Sequence, residues 1–127
     1  MAKADVQREM KEMFGEVIGF IDQIPEAYID SEWDLIKRVQ FGQTLIPNKY
    51  KELIGLGVSA ATKCRYCVLF HTESAKLFGA TEEEIEEAVH YTKLVLGWST
   101  YINGMQVDYD EFKAQVARVV EHVKAAA

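Results

Sequence analysis

The stretch KELIGLGVSAATKCRYCVLFH, residues 51–71, places five small residues, Gly55, Gly57, Ser59, Ala60 and Ala61, ahead of Cys64, Cys67 and His71. Apolar residues recur through it at helical spacing, and no part of the chain shows sustained period-two alternation with β-branched enrichment. Pro47-Asn48 suits the first turn of a helix that runs through Leu53 and Leu56 to Ala61. Small residues let another helix approach closely, so this element belongs at the centre of a bundle. A further helix opens around Thr62 to Cys64 and ends at Gly79, which suits the left-handed position just past a helix end.

The same periodicity extends outward in both directions. From about Ala4 to Ile24, Met10, Met13, Phe14, Val17, Ile18 and Ile21 form one stripe that stops before Pro25. Glu26 to about Phe41 carries Tyr28, Ile29, Trp33, Ile36 and Val39, with Gly42 as a stop. On the other side, Thr81-Glu82-Glu83-Glu84 matches a capping box with three carboxylates in the first turn, where the helix dipole favours negative charge. The helix it opens carries Ile85, Val89, Tyr91, Thr92, Val95 and Leu96 until the Gly97 region and Asn103-Gly104 interrupt it. Asp108 with Glu111 caps a last helix bearing Phe112, Val116, Val119, Val120 and Val123. The pattern predicts an all-α bundle of about six helices in a single domain, residues 1–127.

Composition narrows the function. The 127 residues carry a net charge of −6, so the chain lacks the Lys/Arg surface that phosphate binding needs, and nucleic acid is not expected as a partner. With 49% hydrophobic and 27% charged residues and only two Pro, it is not a disordered or low-complexity chain. Uncharged stretches such as Leu53 to Thr62, which is half a membrane span and holds two Gly, are too short to cross a bilayer, so no membrane association is expected. The N-terminus runs into mixed charge in place of an apolar signal core, which points to a cytoplasmic protein. In a reducing compartment, two cysteines three apart read as a redox or metal site in preference to a staple.

On a helix, positions i and i+3 share a face, so Cys64 and Cys67 can reach each other. His71, four residues after Cys67, brings an imidazole to that face within contact of the second sulfur, a base that favours Cys67 as the attacking thiol where the helix start favours Cys64. A helix start presents free N–H groups and a positive dipole end, and Lys63 and Arg65 flank Cys64; all of these favour thiolate. The help matters because a free thiol, with a pKa of about 8.5, is mostly protonated at neutral pH. Two other readings stand beside this one. The cysteines can be small buried hydrophobes, or Cys64, Cys67 and His71 can hold a metal in a structural protein, with His90 or Glu52 completing the set. His90, within a long helix, and His122, near the C-terminus, read as solvated. Trp98, Tyr101 and Met105 read as core or subunit contact.

From Asn48 to Gly97 the sequence resembles the alkyl hydroperoxide reductase D (AhpD) and carboxymuconolactone decarboxylase family. The resemblance is carried by Lys51-Glu52-Leu53-Ile54, by Cys64-Arg65-Tyr66-Cys67-Val68-Leu69-Phe70-His71-Thr72, by Gly79-Ala80-Thr81 and by Glu83-Glu84-Ile85. Its core is a Glu twelve residues before a C-x-x-C that is followed by x-x-x-His; residues 1–45 carry no such signal. The resemblance implies an AhpD-like all-α fold packed into trimers or hexamers and a thiol-dependent peroxidase or disulfide-reductase activity. It also implies regeneration by a lipoylated protein or another external dithiol donor, with no bound cofactor. Carried over by position, Glu52 and His71 match the family's proton relay, and Cys64 and Cys67 its redox pair.

One residue departs from the pattern. Peroxidase members carry His just before the second cysteine, and here it is Tyr66, a hydrogen-bond donor but a poor base at neutral pH. That counts against strong peroxidase activity and leaves thiol–disulfide chemistry intact. The founding decarboxylases do not depend on such a cysteine pair, so its presence argues against a lactone decarboxylase. The remaining enzymatic alternative is a decarboxylase or isomerase of small cyclic acids that uses Glu52 and His71 while the cysteines idle.

Overall fold

In the computed structural model, which describes residues 3–127, the chain is a series of helices with no strand among those residues. The N-terminal stripe, expected as one helix, is divided. Helix α1 (Lys3–Phe14) ends at Gly15, whose φ of +79° and N–H bond to the Lys11 carbonyl at 2.9 Å make a left-handed cap. A short α2 (Gly19–Asp22) follows, so the α-helices among the described residues number seven, against the six or so that the sequence pattern predicts.

Helix α3 (Glu26–Leu35) starts directly after Pro25 and passes into a π-helical turn over Ile36–Phe41. α1 and α2 pack on α3 around Val6, Met10, Ile21, Ile29 and Trp33. Trp33 is fully buried, and its indole N–H donates to Glu9 Oε2 at 2.6 Å. A buried indole needs such a partner. The same carboxylate accepts from Lys37 at 2.9 Å, and these two bonds hold Glu9 below the usual carboxylate range.

Helix α4 (Asn48–Ala61) is the central element that its small residues predicted: it packs along α5 (Arg65–Leu77) and α6 (Glu82–Gly104). A methyl at Gly57 would lie 2.9 Å from Thr92 Oγ1 of α6, which shows how close that approach is. Lys49 pairs with Glu84 at 2.9 Å across the same boundary. The carbonyls at the end of the π-helical turn are taken up by α4 side chains. Asn48 donates to the Phe41 carbonyl at 3.1 Å, and Lys51 donates to those of Val39 and Gly42.

Gly79 ends α5 with φ +92°, and Thr81 and Glu84 form the expected capping box. α6 then runs through Gly97 without the predicted interruption. A glycine inside a helix weakens it by only about 1 kcal/mol, too little to stop a 23-residue helix. Helix α7 (Tyr109–Ala126) is capped by Asp108 as predicted. Neither α6 nor α7 contains a buried residue.

Candidate active site

The turn between α4 and α5 sets the position of Cys64 from both sides. Cys64 N–H donates to the Ser59 carbonyl at 3.0 Å and Lys63 N–H to that of Ala60 at 3.2 Å, the paired bonds of a Schellman ending. Lys63 holds the left-handed position of that ending, at φ +58°, where glycine is usual. Cys64 is also the N-cap of α5, its Sγ accepting from the Cys67 backbone N–H at 3.3 Å. Its backbone closes one helix and its sulfur opens the next.

Cys64 Sγ and Cys67 Sγ lie 2.7 Å apart, with Cys64 partly covered and Cys67 exposed. The hydrogen bond from the Cys67 thiol, aided by the Cys67 N–H, holds Cys64 below the ordinary thiol range, and donating that hydrogen pushes Cys67 above it. Thiolate character therefore concentrates on the sulfur at the helix N-terminus.

Glu52, on α4, is 2% exposed, so it is not the solvated carboxylate that its residue type alone suggests. Its Oε2 lies 2.7 Å from Nδ1 of His71, on α5, whose side chain is mostly covered. With Nδ1 bound to a carboxylate, the neutral ring carries its proton on Nδ1 and offers Nε2 as the acceptor. The ring rests on Gly55, one turn along α4 from Glu52. A methyl at Gly55 would meet His71 Nδ1 and Cε1 at 2.6 Å and Cγ at 2.9 Å. The ring of Phe70 stands edge-on to the imidazole at 5.3 Å, and Phe41 stands edge-on to Phe70 at 6.1 Å.

The four residues singled out in the sequence thus form two hydrogen-bonded pairs on the α4–α5 boundary. His71 makes its hydrogen bond to Glu52, and none joins the imidazole to either sulfur. The i+4 spacing puts both on one side of α5, yet the ring is drawn inward by the buried carboxylate. Among the described residues no three of His, Cys, Asp and Glu converge as metal ligands. His90 and His122 are exposed. Tyr66 is 79% exposed and lies against the Arg65 guanidinium. Sequence reasoning assigned Gly55 to helix packing and missed the histidine seat; the Glu52–Gly55 spacing of three, which sets both on one face, was the available signal.

The family model for the carboxymuconolactone decarboxylase family matches residues 23–108, a wider span than the 48–97 stretch quoted above. A curated relative, "Uncharacterized protein 4 in cox locus" of Paracoccus denitrificans, is 33% identical over 63 residues, covering 50% of this chain and 57% of the relative. The fold is similar to the crystal structure of the alkylhydroperoxidase AhpD core from Rhodospirillum rubrum, with a TM-score of 0.76 at 24% identity over 88% of this chain and 85% of that one.

Proposed function

The chain belongs to the carboxymuconolactone decarboxylase family, and from that membership we propose that it is a thiol-dependent oxidoreductase cycling Cys64 and Cys67 between dithiol and disulfide. One observation carries the reading: two free sulfurs 2.7 Å apart at a helix N-terminus, next to a buried carboxylate–imidazole pair. The oxidant is a hydroperoxide or a partner disulfide.

With a hydroperoxide, the Cys64 thiolate attacks the terminal oxygen, the O–O bond breaks, and the departing alkoxide takes a proton to leave as an alcohol. His71 Nε2, oriented through Nδ1 by Glu52, takes up the proton that the Cys64 thiol releases on ionising and returns it to that alkoxide by way of water. The Cys67 thiol then attacks the sulfenic sulfur, expelling water and closing the disulfide. With a disulfide substrate, Cys64 displaces one substrate thiol and Cys67 displaces the other. Two electrons return from an external dithiol of the lipoyl type, which is oxidised to its own disulfide. Such a cycle belongs in a reducing compartment and requires no bound cofactor. Thiol counting before and after limiting hydroperoxide, with mass spectrometry of the peptide containing both cysteines, tests it. Loss of two thiols per chain is expected.

A second reading has its own observation. The Glu52–His71 pair is complete without either sulfur, and a buried, oriented imidazole suits proton transfer on a small cyclic acid. Replacing both cysteines separates the two. Turnover of a cyclic acid that survives the replacement favours proton transfer, and loss of all turnover favours the thiol cycle.

A further inference from the structure

We propose that Gly55 is a positioning residue: the missing side chain at this one point of α4 is the seat that fixes the orientation and tautomer of the His71 imidazole. Glu52 and Gly55 share a face of α4, so one helix supplies both the carboxylate that binds Nδ1 and the flat surface against which the ring lies. The ring atoms nearest Gly55 are Nδ1, Cε1 and Cγ, so a β-carbon there would press on the nitrogen that is bonded to Glu52 and on the carbons either side of it.

The backbone beneath the ring does not yield easily. Ser59, which is buried, donates its hydroxyl to the Gly55 carbonyl at 2.6 Å and fixes that peptide. A methyl at Gly55 must therefore displace the imidazole, and the 2.7 Å bond to Glu52 goes with it. Gly57, two residues on, meets Thr92 and not the histidine, so close packing of α4 on α6 does not by itself account for Gly55. Gly97, within α6, would place a methyl in open space and serves as the matched control.

The role in turnover rests on the thiol-cycle reading, whereas the seating itself does not, and the test separates them. In nitrogen-15-labelled full-length protein, the His71 ring shifts report the tautomer, and disulfide formation with limiting hydroperoxide reports the relay. Gly55→Ala is expected to lose the Nδ1–H signature, as His71 does when its carboxylate partner is removed in Glu52→Ala, and to slow disulfide formation about 10- to 100-fold. Gly97→Ala should change neither. If the wild-type chain forms no disulfide, the thiol cycle fails and the ring shifts alone decide the seating.

Stability supplies a second arm that holds even if Gly55→Ala folds poorly. Gly55→Ala should lower Tm in the native chain and leave it unchanged or raised in the His71→Ala background, where the ring is gone and the methyl has room. An unaltered Nδ1–H signature in Gly55→Ala, or the same Tm loss with and without the ring, overturns the proposal.

Discussion

Glu52 and His71 stand 19 residues apart in the chain and 2.7 Å apart in space, a carboxylate from α4 held against an imidazole from α5. Removing one partner of such a pair leaves the other uncompensated. His71→Ala strands a buried carboxylate and is expected to lower stability by about 1–3 kcal/mol in chemical denaturation, whereas Glu52→Gln keeps an acceptor for Nδ1–H and should stay near wild type.

The two residues should also fail as one unit in catalysis. Each of Glu52→Gln and His71→Ala is expected to slow disulfide formation by about 100-fold, the lower end of what general acid–base groups contribute. The double variant should be barely slower than the worse single one, because the first change already breaks the relay. Full activity in Glu52→Gln would remove the relay from the mechanism.

Cys64 and Cys67 are expected to differ in the pH at which they react. Cys64 is lowered by the hydrogen bond from Cys67 and by its place at the start of α5, so its alkylation by iodoacetamide should begin at lower pH than that of a free thiol, while Cys67 lags. Cys67→Ala removes the donor and should move the Cys64 profile upward. The sign for stability follows from the protons bound. Between the depressed folded value and the ordinary unfolded one, the unfolded chain binds more protons at Cys64. The native state therefore gains from this residue as pH rises through that window and loses the gain as pH falls through the folded value. Equal alkylation of both cysteines across the range would show that the cap does not activate Cys64.

Much of this was legible in the sequence, for reasons that also mark its limits. Helix class, the α4 start at Pro47, the Gly79 stop, the Thr81–Glu84 box and the Asp108 cap all rest on local chemistry that residue type encodes. Gly15 was misread because an apolar stripe on both sides masks a single left-handed residue. The two pairs of the site were named from spacing and family pattern, but which pair each residue joins depends on burial. The i+4 rule points His71 toward Cys67, and its hydrogen bond goes to the buried Glu52. Left-handed Lys63 and Gln106 carry no signal in residue type, since neither favours that conformation.

Gln106 gives a prediction independent of the site. At φ +52° its N–H donates to the Asn103 carbonyl at 3.1 Å, and the Val107 N–H donates to that of Ile102, so it fills the glycine position of the ending of α6. A β-carbon is strained there, and Gln106→Gly should raise stability by about 0.5–1 kcal/mol after the extra entropy of the unfolded glycine is subtracted. A thermal melt should show a rise of about 2–4 °C. A fall would mean that the Gln106 side chain contributes more than the strain removes.

The C-terminal helices argue that the protein works as an oligomer. Phe112, Val116, Val119, Val120 and Val123 recur at helical spacing along α7 and are all at least 38% exposed, while α6 adds Val95, Trp98 and Tyr101 at 49% or more. An apolar stripe that long on an isolated chain would promote indiscriminate association, whereas closed symmetry with copies of itself buries the stripe and stops growth. We therefore predict a homo-oligomer, and the family resemblance implies a trimer or a hexamer. Light scattering at micromolar concentration should return a multiple of three chains, and a mass near 14.4 kDa would sink the claim. Val116→Glu with Val120→Glu places two charges on the stripe. Both positions are exposed within the single chain, so the variant should lose mass while keeping its helical circular dichroism. If instead the assembly survives two buried carboxylates unchanged, α7 is not the surface that builds it.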